Sequence, residues 1–92
     1  MAPRLEIVGR VKGFFALPSV AVIELTDALH QGDRILLKGS TTELLQTVGS
    51  MQRQKQAILE GRAGDVIGVQ IGGRCRRNDI VYKLVDDRAP AR

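Results

Sequence analysis

Cysteine, histidine and aromatic residues are nearly missing from this chain, and each shortage closes off a class of function. Cys75 is the single cysteine. No internal disulfide can form, and a reducing compartment, the cytoplasm, is the expected setting. A structural zinc site needs about four Cys or His ligands. This sequence offers Cys75 and His30, far apart, so no metal is expected. The aromatic residues are Phe14, Phe15 and Tyr82, with no tryptophan. The core must therefore be built from Val, Ile and Leu, and little ring surface is left for stacking single-stranded bases. The longest apolar run, around Val20–Ile23, falls far short of the roughly 20 residues that cross a bilayer. The opening Met1-Ala2-Pro3-Arg4-Leu5-Glu6 lacks the apolar stretch of a secretory signal. No membrane association is expected.

Catalytic constellations are missing too. A phosphate-binding loop needs two glycines separated by four residues, the second followed by Lys and Ser or Thr. Lys38-Gly39-Ser40 holds the ingredients in the wrong order, so neither a nucleotide nor another cofactor is implied. A nucleophile needs a base beside it, and His30, the only imidazole, sits next to a turn. Cys75 lies between Arg74 and Arg76, and neighbouring cations lower a thiol's pKa. It reads either as a reactive thiol or, more simply, as a passenger in a basic loop. The chain is expected not to be an enzyme.

What is present is an alternating apolar pattern with regular corners. Leu5, Ile7, Gly9, Val11 and Gly13 share one parity, while Arg4, Glu6, Arg10 and Lys12 share the other. That is a half-buried strand with the apolar set inward. Pro18-Ser19 turns into a mostly buried strand, Val20–Leu25. Leu29–Asp33 reads as a turn, with Gly32 free to take positive φ. Arg34–Lys38 is a short strand, and Gly39–Thr42 turns again. Glu43–Met51 is a β-type run whose alternation slips near Gly49, the mark of a bulge. Gln52–Gly61 is the only stretch of helix-forming composition, and it is short. Ala63-Gly64-Asp65 leads into a strand at Val66–Ile71, Gly72–Asp79 is a basic loop, and Ile80–Val85 closes the pattern. Ninety-two residues hold one core. The expectation is an all-β fold, a small closed six-stranded β-barrel over residues 1–86, with a flexible tail at 87–92. Closure would remove exposed edges.

The net charge of +4 is concentrated in one segment. Residues 51–77 carry Arg53, Lys55, Arg62, Arg74, Arg76 and Arg77 against Glu60 and Asp65, while the flanking segments balance. Such asymmetry points to an anionic partner. The RNA-binding candidates are these six cations, joined by Arg10 and Lys12 if the fold brings them to the same side. Phe14 or Phe15 could offer a ring to a base, with Phe15 the one expected in the core.

The corners also carry a family likeness. Leu29-x-x-Gly32-Asp33-x-Ile35, Gly39-x-Thr41-Thr42, Val48-x-Ser50-Met51-Gln52 and Glu60-Gly61-Arg62-Ala63-Gly64-Asp65-x-x-Gly68-Val69 resemble domain 2 of elongation factor Tu. Arg77-Asn78-Asp79-Ile80-Val81-Tyr82 is similar to the strand that ends that barrel, and the likeness spans residues 5–85. Val20–Leu25 and Gln46-Thr47-Val48-x-Ser50-Met51-Gln52 resemble two narrower groups. These are stand-alone translation elongation factor-like small proteins and the C-terminal barrel of collagenase-like peptidases. The resemblance implies a translation-protein β-barrel doing non-catalytic work on tRNA or ribosomal RNA. The aminoacyl-tRNA pocket of the factor uses a Glu at the place of Gln52 and an Asn at the place of Val66, and neither is kept. Gly32 and Gly64 with Asp33 and Asp65 read as corner-formers, and Leu29 and Ile58 as plugs at the barrel ends. The alternative is a protein-interaction adaptor or accessory domain on a larger enzyme. For that role Leu36, Leu44 and Leu45, whose parity conflicts with their neighbours, are candidate contacts.

Overall fold

A computed structural model describes residues 4–85. The boundary at residue 86 and the tail at 87–92 lie outside the described residues. Ten strands follow one another: β1 (Arg4–Phe15), β2 (Val20–Leu25), β3 (Leu29–His30), β4 (Arg34–Lys38), β5 (Glu43–Thr47), β6 (Met51–Arg53), β7 (Gln56–Ile58), β8 (Glu60–Gly61), β9 (Val66–Gln70) and β10 (Ile80–Val85). The fold is all-β, and among the described residues no helix is long and apolar enough to cross a membrane. Eight strands form one antiparallel sheet in the order β5-β4-β10-β1-β2-β9-β6-β7, and β3 pairs with β8.

The sheet rolls up. β5 and β6 stand near opposite ends of the strand order, yet only residues 48–50 join them. Three residues reach at most about 15 Å from strand to strand, so the two ends must approach each other. The segment beside β3 fills the seam: the Gly32 amide donates to the Val48 carbonyl (2.9 Å), and the Val48 amide to the Asp33 carbonyl (2.8 Å). Gln46 of β5 adds a side-chain stitch, accepting from the Gly72 amide (2.8 Å) and donating to the Gln70 carbonyl (3.1 Å). No ladder among the described residues joins β5 to β6 or β7. The expected six-stranded closed barrel is thus realised as a rolled ten-strand structure whose seam is not closed by strand pairing.

Inside the roll lies a core of Val8, Val11, Ala21, Ile23, Leu25, Leu29, Ile35, Leu37, Val48, Met51, Ile67, Val69, Ile71, Cys75 and Val81. Phe14, Leu44 and Ile58 pack against it. Leu29 is fully buried, and Ile58 is half-buried against the core. Burial of each such side chain contributes about 1.5–3 kcal/mol.

Two expectations about β1 are corrected by irregular pairing. Against β10, Ile7 faces Tyr82 and Gly9 faces Val81, so Val8 is an extra residue; against β2, Lys12 is another. Each extra residue shifts which side chains point inward. Leu5 and Ile7, expected inside, are 49% and 55% exposed, and Val8 takes the core position. The second shift decides between the phenylalanines: Phe14 packs on the core and Phe15 is 60% exposed, the reverse of the expectation.

Two further corrections fall in residues 29–61. Leu29–His30 is a strand rather than part of a turn. Gln52–Gly61 holds no helix: β6 and β7 form a hairpin in which Arg53 opposes Gln56. Gln54 and Lys55 make its two-residue turn at φ 52° and 68°, both in the left-handed region that such a turn requires. Helix-forming side chains were overridden by strand pairing, of β6 with β7 and β9 and of β8 with β3. The slip near Gly49 marks the break between β5 and β6, where the chain crosses the seam.

Candidate functional site

One corner design is used three times. In His30–Asp33, Arg62–Asp65 and Arg76–Asp79 the fourth residue's amide donates to the first residue's carbonyl (3.1, 2.9 and 3.1 Å). The third residue has positive φ: Gly32 and Gly64 at 94°, Asn78 at 77°. The aspartate then turns back, and its Oδ2 accepts from the first residue's amide at 2.8, 2.9 and 2.8 Å. Positive φ at the third position is the signature of a type II turn, and Asn is the side chain that best tolerates it after Gly. The first two corners were legible as Gly-Asp pairs. The third uses Asn-Asp and carries the basic loop.

That loop, residues 72–79, is pinned at both ends. The Ile71 amide donates to the Ser19 carbonyl (3.0 Å), and Val11 exchanges bonds with Asn78 and Asp79 (both 2.8 Å). Cys75 anchors the middle in the core at 5% exposure. An extended segment with one residue buried sends its neighbours outward, and Arg74, Arg76 and Arg77 are all exposed. None of the three makes an ion pair among the described residues. The nearest acid in sequence, Asp79, is 7% exposed and its Oδ2 holds the Arg76 amide. Phe14, Thr41, Thr42, Arg74, Cys75 and Arg76 line a groove of about 300 Å³. Two guanidinium groups, two hydroxyls and a half-buried ring can hold a phosphate and a planar group beside it.

Cys75 is not the reactive thiol that its neighbours suggested. Burial, and next the charge of Asp79, push its pKa up to about 11. The arginine side chains are at the surface while the sulfur is inside, so desolvation wins over their attraction.

The other candidates are placed elsewhere. Arg53 pairs with Asp65 at 2.9 Å, and the same carboxylate caps the Arg62 amide. That amide bond is the main cause holding the Asp65 carboxyl below its ordinary pKa, with Arg53 assisting. Lys55 stands in the β6–β7 turn. The Asp65 corner is bonded at Leu25, the far end of β2 from Ser19 and Val20, where the basic loop begins. Six strand residues span about 17–20 Å. Lys12 pairs with Glu24 (3.7 Å), and Arg10 lies on the outer face of β1 with no ion pair among the described residues. The fold therefore gathers Arg74, Arg76 and Arg77 on one loop and sets Arg53 and Arg62 around one carboxylate, while Lys55 stands in a turn and Arg10 and Lys12 flank Val11, which bonds the end of that loop. His30 lies between Asp33 (3.7 Å) and Glu60 (3.3 Å). Among the described residues no cluster of His, Cys, Asp and Glu is suited to holding a metal ion.

No protein-family model matches the chain. An uncharacterized protease of Methanocaldococcus jannaschii is 39% identical over 82 residues, 88% of this chain and 20% of the protease. The chain thus spans about one fifth of that relative. In structure it is similar to the C-terminal domain of a Geobacillus thermoleovorans protein assigned to the U32 peptidases. The TM-score is 0.81 at 14% identity, over 85% of this chain and 99% of that domain. It is also similar to part of GDP-bound aIF5B, a translation factor of Aeropyrum pernix. There the TM-score is 0.60 at 21% identity, over 94% of this chain and 15% of that protein. Both likenesses suggested by the corner sequences are consistent with these matches, and at such identities the structures speak for the fold alone.

Proposed function

We propose that this chain is a non-catalytic accessory module that seats on a larger enzyme of the peptidase type. The observation that carries this reading is the 82-residue match, which places the chain's counterpart as one fifth of a protease. The likeness to a peptidase C-terminal domain supports it, since that domain is covered almost end to end. The test is a full-length chimera in which this chain replaces the matching segment of the Methanocaldococcus protease. Seating predicts one joint melting transition and the scattering profile of a compact particle. Two independent melts with the profile of a freely tethered bead would overturn it. The isolated chain is expected to show no peptide hydrolysis above blank.

A second reading is favoured by the three arginines that lack acid partners: contact with tRNA or ribosomal RNA through the 72–79 loop. Phosphate contacts release counterions, so binding weakens with salt in proportion to the contacts made. Titrating the chain against total tRNA, replacing Arg74, Arg76 and Arg77 by Ala should flatten the slope of log K against log salt by about 2–3. Equal slopes would remove this reading.

A further inference from the structure

The Val8 bulge builds a surface that neither the charge pattern nor the corner sequences disclose. Residues directly opposite each other in an antiparallel pair share a face. Ile7 opposes Tyr82, Tyr82 opposes Leu36, and Leu36 opposes Leu45. The buried positions beside them, Val81, Ile35 and Leu37, mark the inward face, so this row is the outward one. An apolar band therefore crosses β1, β10, β4 and β5 on the outside of the roll. Ile7 and Leu45 are 55% and 50% exposed, and Leu5 extends the band opposite Leu84. Isolated apolar residues on a surface need no explanation, but a contiguous row across four strands does.

Charge flanks the band. The adjacent outward row runs from Glu24 through Arg10 and Ile80 to Lys38 and Glu43. Within it Lys38 pairs with Glu43 (3.8 Å), and Glu24 pairs with Lys12 (3.7 Å). Arg10 on this side, and Arg34 at the start of β4, make no ion pair among the described residues. The face is thus apolar at its centre and positive at its rim.

We infer that this outer face of β1, β10, β4 and β5 is the surface by which the module seats on its host enzyme. Its counterpart there is an apolar patch flanked by carboxylates. The inference rests on the accessory-module reading and names its contact. Charge complementarity selects the occupant: an acidic rim meets Arg10 and Arg34. A second copy of this chain would instead set the same excess of cations against itself.

The test is hydroxyl-radical footprinting of the isolated 92-residue chain and of the full-length chimera described above. Ile7, Tyr82, Leu36 and Leu45 are expected to be protected several-fold in the chimera, with Leu17, Leu59 and Val66 unchanged. Replacing both Ile7→Glu and Leu45→Glu should abolish the protection of Tyr82 and Leu36. Both sites are exposed, so the isolated double variant should keep its Tm within a few degrees. Arg10→Glu with Arg34→Glu should weaken protection part-way and in a salt-dependent manner. Protection confined to another face would overturn this assignment and leave the accessory reading intact. Protection nowhere would overturn both. Dimerisation of the isolated chain in sedimentation, lost in the Glu variants, would assign the band to a second copy and overturn the host.

Discussion

The corners at 62–65 and 76–79 are built alike but differ in how their aspartates are used. Each turns on a positive-φ residue, and each aspartate caps the amide of an arginine three positions earlier. Asp65 is accessible enough to bind the Arg53 guanidinium as well. Asp79 is buried beneath its loop, and the guanidinium groups of Arg74, Arg76 and Arg77 stay unpaired. The same turn chemistry gives one corner whose aspartate also holds an ion pair and one whose aspartate does not, and the burial of one carboxylate makes the difference.

That contrast can be broken from below. A Cβ on Gly39 would fall on Oδ1 of Asp79, so Gly39→Val should cost about 3 kcal/mol in urea melts through overpacking against a buried carboxylate. Asp79→Ala leaves the Arg76 amide without its acceptor and should cost about 2 kcal/mol. Asp65→Ala should lower the melting midpoint by less, because water can take over its bonds. The pH dependence reports on the Asp65 corner. The folded Asp65 carboxyl titrates below its ordinary value, so its stabilisation is present at neutral pH and is lost as pH falls through that lowered pKa. Asp65→Asn should flatten the acid limb of the stability profile. Changing Arg74, Arg76 and Arg77 to Ala should alter stability by under about 0.5 kcal/mol; a larger loss would mean these side chains hold the loop. Cys75 should react with a thiol reagent at pH 8 far more slowly than a free cysteine, since its pKa is about 11. Rapid labelling of the folded chain would contradict its burial.

How much of this was legible in the residues depended on whether the information was local. The long strands, the Gly-Asp corners and the basic segment are local patterns, and they could be read directly. The third corner carried a fainter signal, an Asn where Gly would be expected. Where partners from distant parts of the chain decide, alternation misled. Leu5 and Ile7 have core parity, yet pairing with β10 inserts Val8 and turns them out. Phe15 lost its core place to Phe14 for the same reason at Lys12. Gln52–Gly61 has helical composition, and strand pairing, of β6 with β7 and β9 and of β8 with the distant β3, outweighs that preference. The parity conflict at Leu36 and Leu45 was real information: both sit in the outer apolar row, while Leu44 packs inward. The groove around Phe14 and Arg76 was not readable at all, because three separate segments meet there.

The first surplus residue in β1, Val8, divides the strand into two parts answering to different constraints. From Val8 onward, substitutions at Val8, Val11 and Phe14 are judged by the interior they must fit. Before it, Leu5 and Ile7 are free of that demand, so their identity can follow whatever surface they touch. A short stretch at the start of the strand could then be rewritten to change what the module recognises, without re-engineering the roll that carries it.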